Sequence, residues 1–156
     1  MIMISFTNQE KIAIVYEFIQ YYGNILVTSF QTNKQIRIHF RTLQKNDFED
    51  PMITWSNIIE YSPDVCEKLQ LTNNEILAMF AHEIGHILDT KNPNVQDDEI
   101  ARENREIAAD SMAQVLGLGD ALASGLYKLL KSGQYPNEID LLRKRICILK
   151  QKLQTP

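Results

Sequence analysis

The sequence predicts an α+β fold, with a small sheet near the N-terminus followed by a mostly helical core. Three observations predict it. Apolar and polar residues alternate in the N-terminal part, most clearly over Gln35–Arg41. Beyond Thr72 the apolar residues instead recur at helical spacing. Between these periodic stretches lie the residues that stop helices, notably Pro93, Gly117 and Gly133. At 156 residues the chain reads as one domain, 1–156, large enough to bury a core.

The elements follow in order. Met1–Phe6 is apolar but short, and no basic segment or long apolar stretch accompanies it, so it does not read as a signal peptide. Thr7 and Glu10 have capping-box spacing and open a helix to about Tyr22, with Ile12, Val15, Tyr16 and Ile19 on one face. Gly23-Asn24 breaks it. Ile25–Phe30 and Gln35–Arg41 read as strands. In the second, Ile36, Ile38 and Phe40 alternate with Arg37, His39 and Arg41, which makes His39 a solvent-facing residue. Leu43–Pro51 is a polar connection, and Met52–Tyr61 is expected to form one further strand. Ser62-Pro63 starts a short helix through Leu69.

Thr72 and Glu75 form a second capping box. Behind it Ile76, Leu77, Phe80, Ile84, Ile87 and Leu88 supply a core-facing stripe, and Asp89–Pro93 ends the helix. Asn92–Asp98 is polar and reads as a mobile loop. A second helical segment runs from Asp98 to about Gly117, a third from about Asp120 to Lys131, and a last one from about Asn137 to Leu153. The basic residues of the last helix, Arg143, Lys144, Arg145, Lys150 and Lys152, form a mostly solvated face from which one arginine could enter a cleft.

Composition narrows the function classes. A hydrophobic share of 44% and a charged share of 23% are ordinary for a globular protein. A net charge of −4 without a long basic run argues against nucleic acid or an anionic membrane as partner. No stretch of about 20 apolar residues is present, so no membrane span is expected. Cys66 and Cys147 are isolated and read as thiols of a reducing compartment. The expectation is a soluble, cytoplasmic protein of unspecified oligomeric state.

Two of the chain's three histidines fall in His82-Glu83-Ile84-Gly85-His86, an H-E-x-x-H pattern on the helix that Thr72 caps. Residues four apart on a helix lie about 40° apart, so His82 and His86 point the same way. Glu83 falls about 60° from His86, off the ligand line but within reach of a water beside the metal. Two neutral imidazoles suit zinc, which lowers the pKa of its water to about 7. Glu83 could then take that water's proton as general base. Gly85 leaves room above the metal or lets another element pack closely.

A catalytic zinc needs a third protein ligand. Asp89 and Asn92 stand where a continued H-E-x-x-H-x-x-G-x-x-H would place its glycine and third histidine, so that arrangement is disfavoured. The Asp98–Gly117 helix offers Glu106 as ligand, with Glu103 as its rival one turn earlier. Asp110 shares a face with Glu106 and could accept a hydrogen bond from a ligand histidine. Ala108, Ala109 and Ala113 would let this helix pack tightly against the first.

His82-Glu83-Ile84-Gly85-His86 followed about twenty residues later by Glu106-Ile107-Ala108-Ala109-Asp110 resembles a gluzincin zinc peptidase. The pattern is most similar to the family of the type I CAAX prenyl endopeptidase and the HtpX heat-shock protease. In compactness it resembles the minigluzincins, and more distantly the gluzincin-like domains paired with phage-repressor regulators. The resemblance covers roughly residues 50–150. It implies a zincin-like core with an active-site helix and a glutamate helix. It further implies Glu106 as third ligand, Asp110 hydrogen-bonded behind a histidine, and a peptide bound by strand addition along Met52–Ile58. Trp55 could line a substrate subsite there or pack in the core. Where family members carry H-P and then R-I, this chain has Tyr135-Pro136 and Arg145-Ile146.

The expectation is therefore a zinc-dependent endopeptidase of a peptide or protein substrate, with Glu83 as base. Tyr135 and Arg143 or Arg145 are candidate donors to the developing oxyanion. Two alternatives are a regulatory protease of one protein target and a latent zinc domain, with Asp89 or a covering loop filling the fourth position.

Overall fold

Met3–Phe6 (β1), Gln35–Phe40 (β2), Met52–Trp55 (β3) and Ile58–Tyr61 (β4) join in one sheet in the order β1-β2-β4-β3. This is a computed structural model, and it describes residues 3–6, 35–40, 50–55, 58–89 and 98–151. β1 pairs parallel with β2, and β2 parallel with β4, whereas β3 runs antiparallel to β4. His39 stands on β2, in register with Glu60. The expected helix from Thr7 to Tyr22, the expected strand Ile25–Phe30 and most of the Leu43–Pro51 connection lie outside the described residues.

One strand expectation needs correction, and one strand was not expected. Met52–Tyr61 is a hairpin and not a single strand, since Trp55 pairs with Ile58 and only Ser56-Asn57 lies between them. Serine and asparagine hydrogen-bond to their own backbone and favour turns, which outweighs the apolar residues on either side. Met3–Phe6, read above only for its lack of leader features, is a strand. Its backbone pairs with β2, with Ile4 in register with Ile36.

The helices begin largely where the sequence places them. Pro63–Lys68 (α1) starts on Pro63, whose fixed φ suits the first turn. Ser62 occupies the N-cap position, but its hydroxyl caps nothing and is buried with no hydrogen-bond partner among the described residues. Asn73–Leu88 (α2) has the full capping box. Thr72 Oγ1 accepts from the Glu75 N–H at 3.2 Å, and Glu75 Oε2 accepts from the Thr72 N–H at 2.8 Å. Glu99–Val115 (α3) is capped by Asp98, which accepts from the Ala101 N–H at 2.6 Å. Gly119–Ser132 (α4) stops at Gly133, whose φ of 69° suits a residue without a side chain. The last helix begins as a tight turn over Pro136–Glu138 and becomes α-helical over Ile139–Gln151 (α5).

α2 runs through the middle of the helical layer and is buried along most of its length. Phe80 and Ile84 pack with Ile59 and Tyr61 of β4, Ala113 of α3, Leu122 of α4 and Leu149 of α5 in one apolar core. The rings of Tyr61 and Phe80 lie 5.4 Å apart. On the α3 side the two backbones meet at Gly85. A Cβ there would stand 2.9 Å from both Cα and O of Ala109. Of the two expectations for Gly85, close packing is the one observed. On the α4 side Glu75 is buried and accepts from Ser124 Oγ at 2.6 Å and Lys128 Nζ at 2.8 Å. Among the described residues no helix is long and apolar enough to cross a membrane.

Candidate metal centre and cleft

The backbone contact at Gly85 has a direct result one turn away. It brings the histidine face of α2 against the carboxylate face of α3. His82 Nε2 and His86 Nε2 lie 3.0 Å apart. Glu106 completes the triangle, with Oε2 at 3.3 Å from His82 Nε2 and Oε1 at 3.3 Å from His86 Nε2. A cation about 2.0–2.2 Å from each of three tetrahedrally placed donors requires them to stand about 3.3–3.6 Å apart. Each histidine nitrogen faces a different oxygen of Glu106, and one donor atom from each of the three residues lies within 4.8 Å of the others; two imidazoles and a carboxylate are a donor set that zinc accepts. His82, His86 and Glu106 therefore fit the group that the sequence motif implies.

Glu103, the rival ligand, turns outward to an ion pair with Lys144 of α5. Asp89 is exposed at the C-cap of α2 and is not part of the triangle. The loop 92–97 lies outside the described residues.

Behind the triangle is a buried polar network. His82 Nδ1 lies 2.7 Å from Asp110 Oδ1, which favours the tautomer with its proton on Nδ1 and its lone pair on Nε2, facing the centre. Arg145 reaches in from α5. Its Nε donates to Asp110 Oδ2 at 2.9 Å, its Nη2 to Asp110 Oδ1 at 2.7 Å, and its Nη1 lies 3.0 Å from Glu106 Oε2. Arg145 is only 7% exposed. Its guanidinium thus holds two carboxylates in place, in a fork geometry that a lysine could not reproduce. Arg143, the other candidate arginine, lies on the exposed face of α5.

These contacts set the charges. Burial and Arg145 push the His82 pKa down, but the hydrogen bonds to Asp110 and Glu106 and the charge of Glu83 outweigh them and hold it up to about 9, so a proton and a metal cation compete for Nε2. Burial pushes Glu106 up, yet the two histidines and Arg145 hold its carboxyl well below the usual carboxylate range. Asp110 is lowered by His82 and Arg145, again against its burial.

The triangle opens into a cleft of about 800 Å³. Glu83 and Tyr135 line it, together with Met52, Ile53 and Thr54 of β3. β3 is the outermost strand of the described sheet, so the strand beside the cleft is also an edge. Burial, followed by the charges of Asp50 and Cys66, raises the Tyr135 phenol above its ordinary value, which keeps it a proton donor. Thr54 donates its hydroxyl to Glu83 Oε2 at 2.5 Å. At the rim Arg102, one turn before Glu106 on α3, pairs with Glu138 at 2.5 Å.

Sequence reasoning thus located the histidines, both glutamates and Asp110, and the structure brings Tyr135 and Arg145 to the same cleft. It missed Thr54 and the clamping contacts of Arg145, for neither of which a local pattern exists. No family model, curated protein or solved structure matches the chain.

Proposed function

We propose that the chain is a zinc-dependent endopeptidase in which His82, His86 and Glu106 hold the metal and Glu83 is the general base. One observation carries this reading: two imidazoles and a carboxylate with donor atoms within 4.8 Å of one another open, beside an acidic side chain, into a cleft bordered by an edge strand. Bound there, zinc supplies a Lewis acid for the peptide carbonyl and for water. The residues of the chain do the rest. β3 offers backbone donors and acceptors along which an extended peptide lies as a further strand. Glu83 takes a proton from the attacking water and delivers it to the leaving amine. Tyr135, kept protonated, donates to the oxygen on which charge develops. Asp110 and Arg145 keep His82 and Glu106 oriented through each turnover.

The test pairs metal content with turnover. The wild type should bind one zinc and cleave unstructured peptides or a loosely folded protein. Glu83→Gln should keep the zinc and lose about 100- to 10,000-fold in turnover. Cleavage by Glu83→Gln at the wild-type rate would remove Glu83 as base. A zinc-loaded wild type that cleaves no member of a diverse peptide library would overturn the peptidase reading itself.

A further inference from the structure

We propose that Thr54 is the residue that positions the general base, so that one strand fixes both the peptide and the carboxylate that acts on its attacking water. This rests on the reading of Glu83 as base. Among the described residues, Thr54 is the hydrogen-bond donor to the Glu83 carboxylate, at 2.5 Å from Oε2. The same hydroxyl lies 3.4 Å from the Glu83 carbonyl oxygen. It has one proton to give, and the shorter, charge-assisted contact takes it.

Three physical points turn this contact into a function. A glutamate side chain has several rotatable bonds, and at the edge of an open cleft it would sample rotamers that do not face the metal centre. Thr54 is β-branched, with a stiff χ1, and sits in a hydrogen-bonded strand, so its hydroxyl is a fixed point. Once Oε2 is occupied by that hydroxyl, proton abstraction falls to Oε1.

The location adds the second half. Thr54 is one of four residues in β3, the same edge along which a peptide would pair. A substrate added to that edge takes its register from the backbone of Met52–Trp55, and the base takes its position from a side chain of that segment. The distance between scissile carbonyl and carboxylate is then set within one strand and not across several loops. Reacting groups held in this way gain from proximity, and small misplacements cost heavily.

The experiment compares Thr54→Val, which keeps the shape and removes the hydroxyl, with Thr54→Ser, which keeps the hydroxyl. Thr54→Val should lower kcat about 10-fold, the kinetic equivalent of one lost hydrogen bond to a charged group. KM and zinc stoichiometry should stay as in wild type, and Thr54→Ser should recover most of kcat. In protein stripped of metal, Thr54→Val should lower Tm, and should do so less when Glu83 is already alanine. Wild-type kcat in Thr54→Val would overturn the positioning role and leave the peptidase reading standing. A changed KM at constant kcat, or a Thr54→Ser no better than Thr54→Val, would also overturn it. A zinc-loaded wild type and Thr54→Ser that both fail on every peptide would overturn the peptidase reading, and the role of Thr54 with it.

Discussion

Asp110 and Arg145 show how much of the candidate site depends on residues outside the His82, His86 and Glu106 cluster. The Asp110 carboxylate is 3% exposed and engages both His82 Nδ1 and the Arg145 fork. Asp110→Asn keeps the shape but removes the charge that holds the His82 proton on Nδ1. The zinc dissociation constant should rise about 10- to 100-fold, read by competition with a chelator of known affinity. Arg145→Met leaves Asp110 and Glu106 without their cation. Breaking a buried pair from one side costs about 3–5 kcal/mol, so the denaturation midpoint should fall steeply while Arg143→Met leaves it nearly unchanged. At this scale the sequence was legible where function follows helical periodicity. His82 and His86, and likewise Glu106 and Asp110, are each one turn apart, and a turn is a local property. Arg145 lies 35 residues beyond Asp110, and its contact exists only because α5 packs back over α3. Nothing near Arg145 in the chain announces that.

The elements obey the same division. The capping box at Thr72 fixes the start of α2 because both bonds are made within four residues. The hairpin of β3 and β4 reads as one strand in the sequence because the polar break, Ser56-Asn57, is only two residues long between apolar flanks, and the pairing of Trp55 with Ile58 reveals it. Gly85 is the position where the packing of elements overrides local preference. In an exposed helix, replacing glycine by alanine stabilises by about 1 kcal/mol. Here the added methyl would lie 2.9 Å from the Ala109 backbone, which cannot swing aside as a flexible side chain could. Gly85→Ala should therefore destabilise by about 1–3 kcal/mol and also weaken zinc binding, because α3 must retreat with Glu106 on it. A stabilised variant with unchanged zinc affinity would show that the two helices are not held at that point.

Among the described residues, the core surrounds α2 and leaves the His82, His86 and Glu106 cluster on one of its flanks. The order β1-β2-β4-β3 was not legible in the sequence, because non-local pairings decide strand order. The molecule has an acid sensitivity that its architecture predicts. Buried Glu75 joins the start of α2 to α4 through Ser124 and Lys128. Burial alone would raise its pKa, but Lys128, Ser124 and the Thr72 N–H together lower it. A carboxyl with a lowered folded-state pKa adds stability above its unfolded value, near pH 4.3, and loses it as the pH falls further. Wild type should exceed Glu75→Gln by about 1–3 kcal/mol at pH 7, and the two denaturation curves should converge well below about pH 4.

The edge of β3 also bears on how molecules of this protein meet one another. An open strand edge is a template for a strand of another copy, the usual start of sheet-to-sheet aggregation. Two features of the chain restrain that outcome. β3 is four residues long, below the six or seven that stacked fibrillar sheets employ. It also follows directly on Asp50-Pro51, a charge and a residue without an N–H, both of which discourage continued pairing. An edge this short gives a strand of another copy few backbone bonds to gain, which favours colloidal stability.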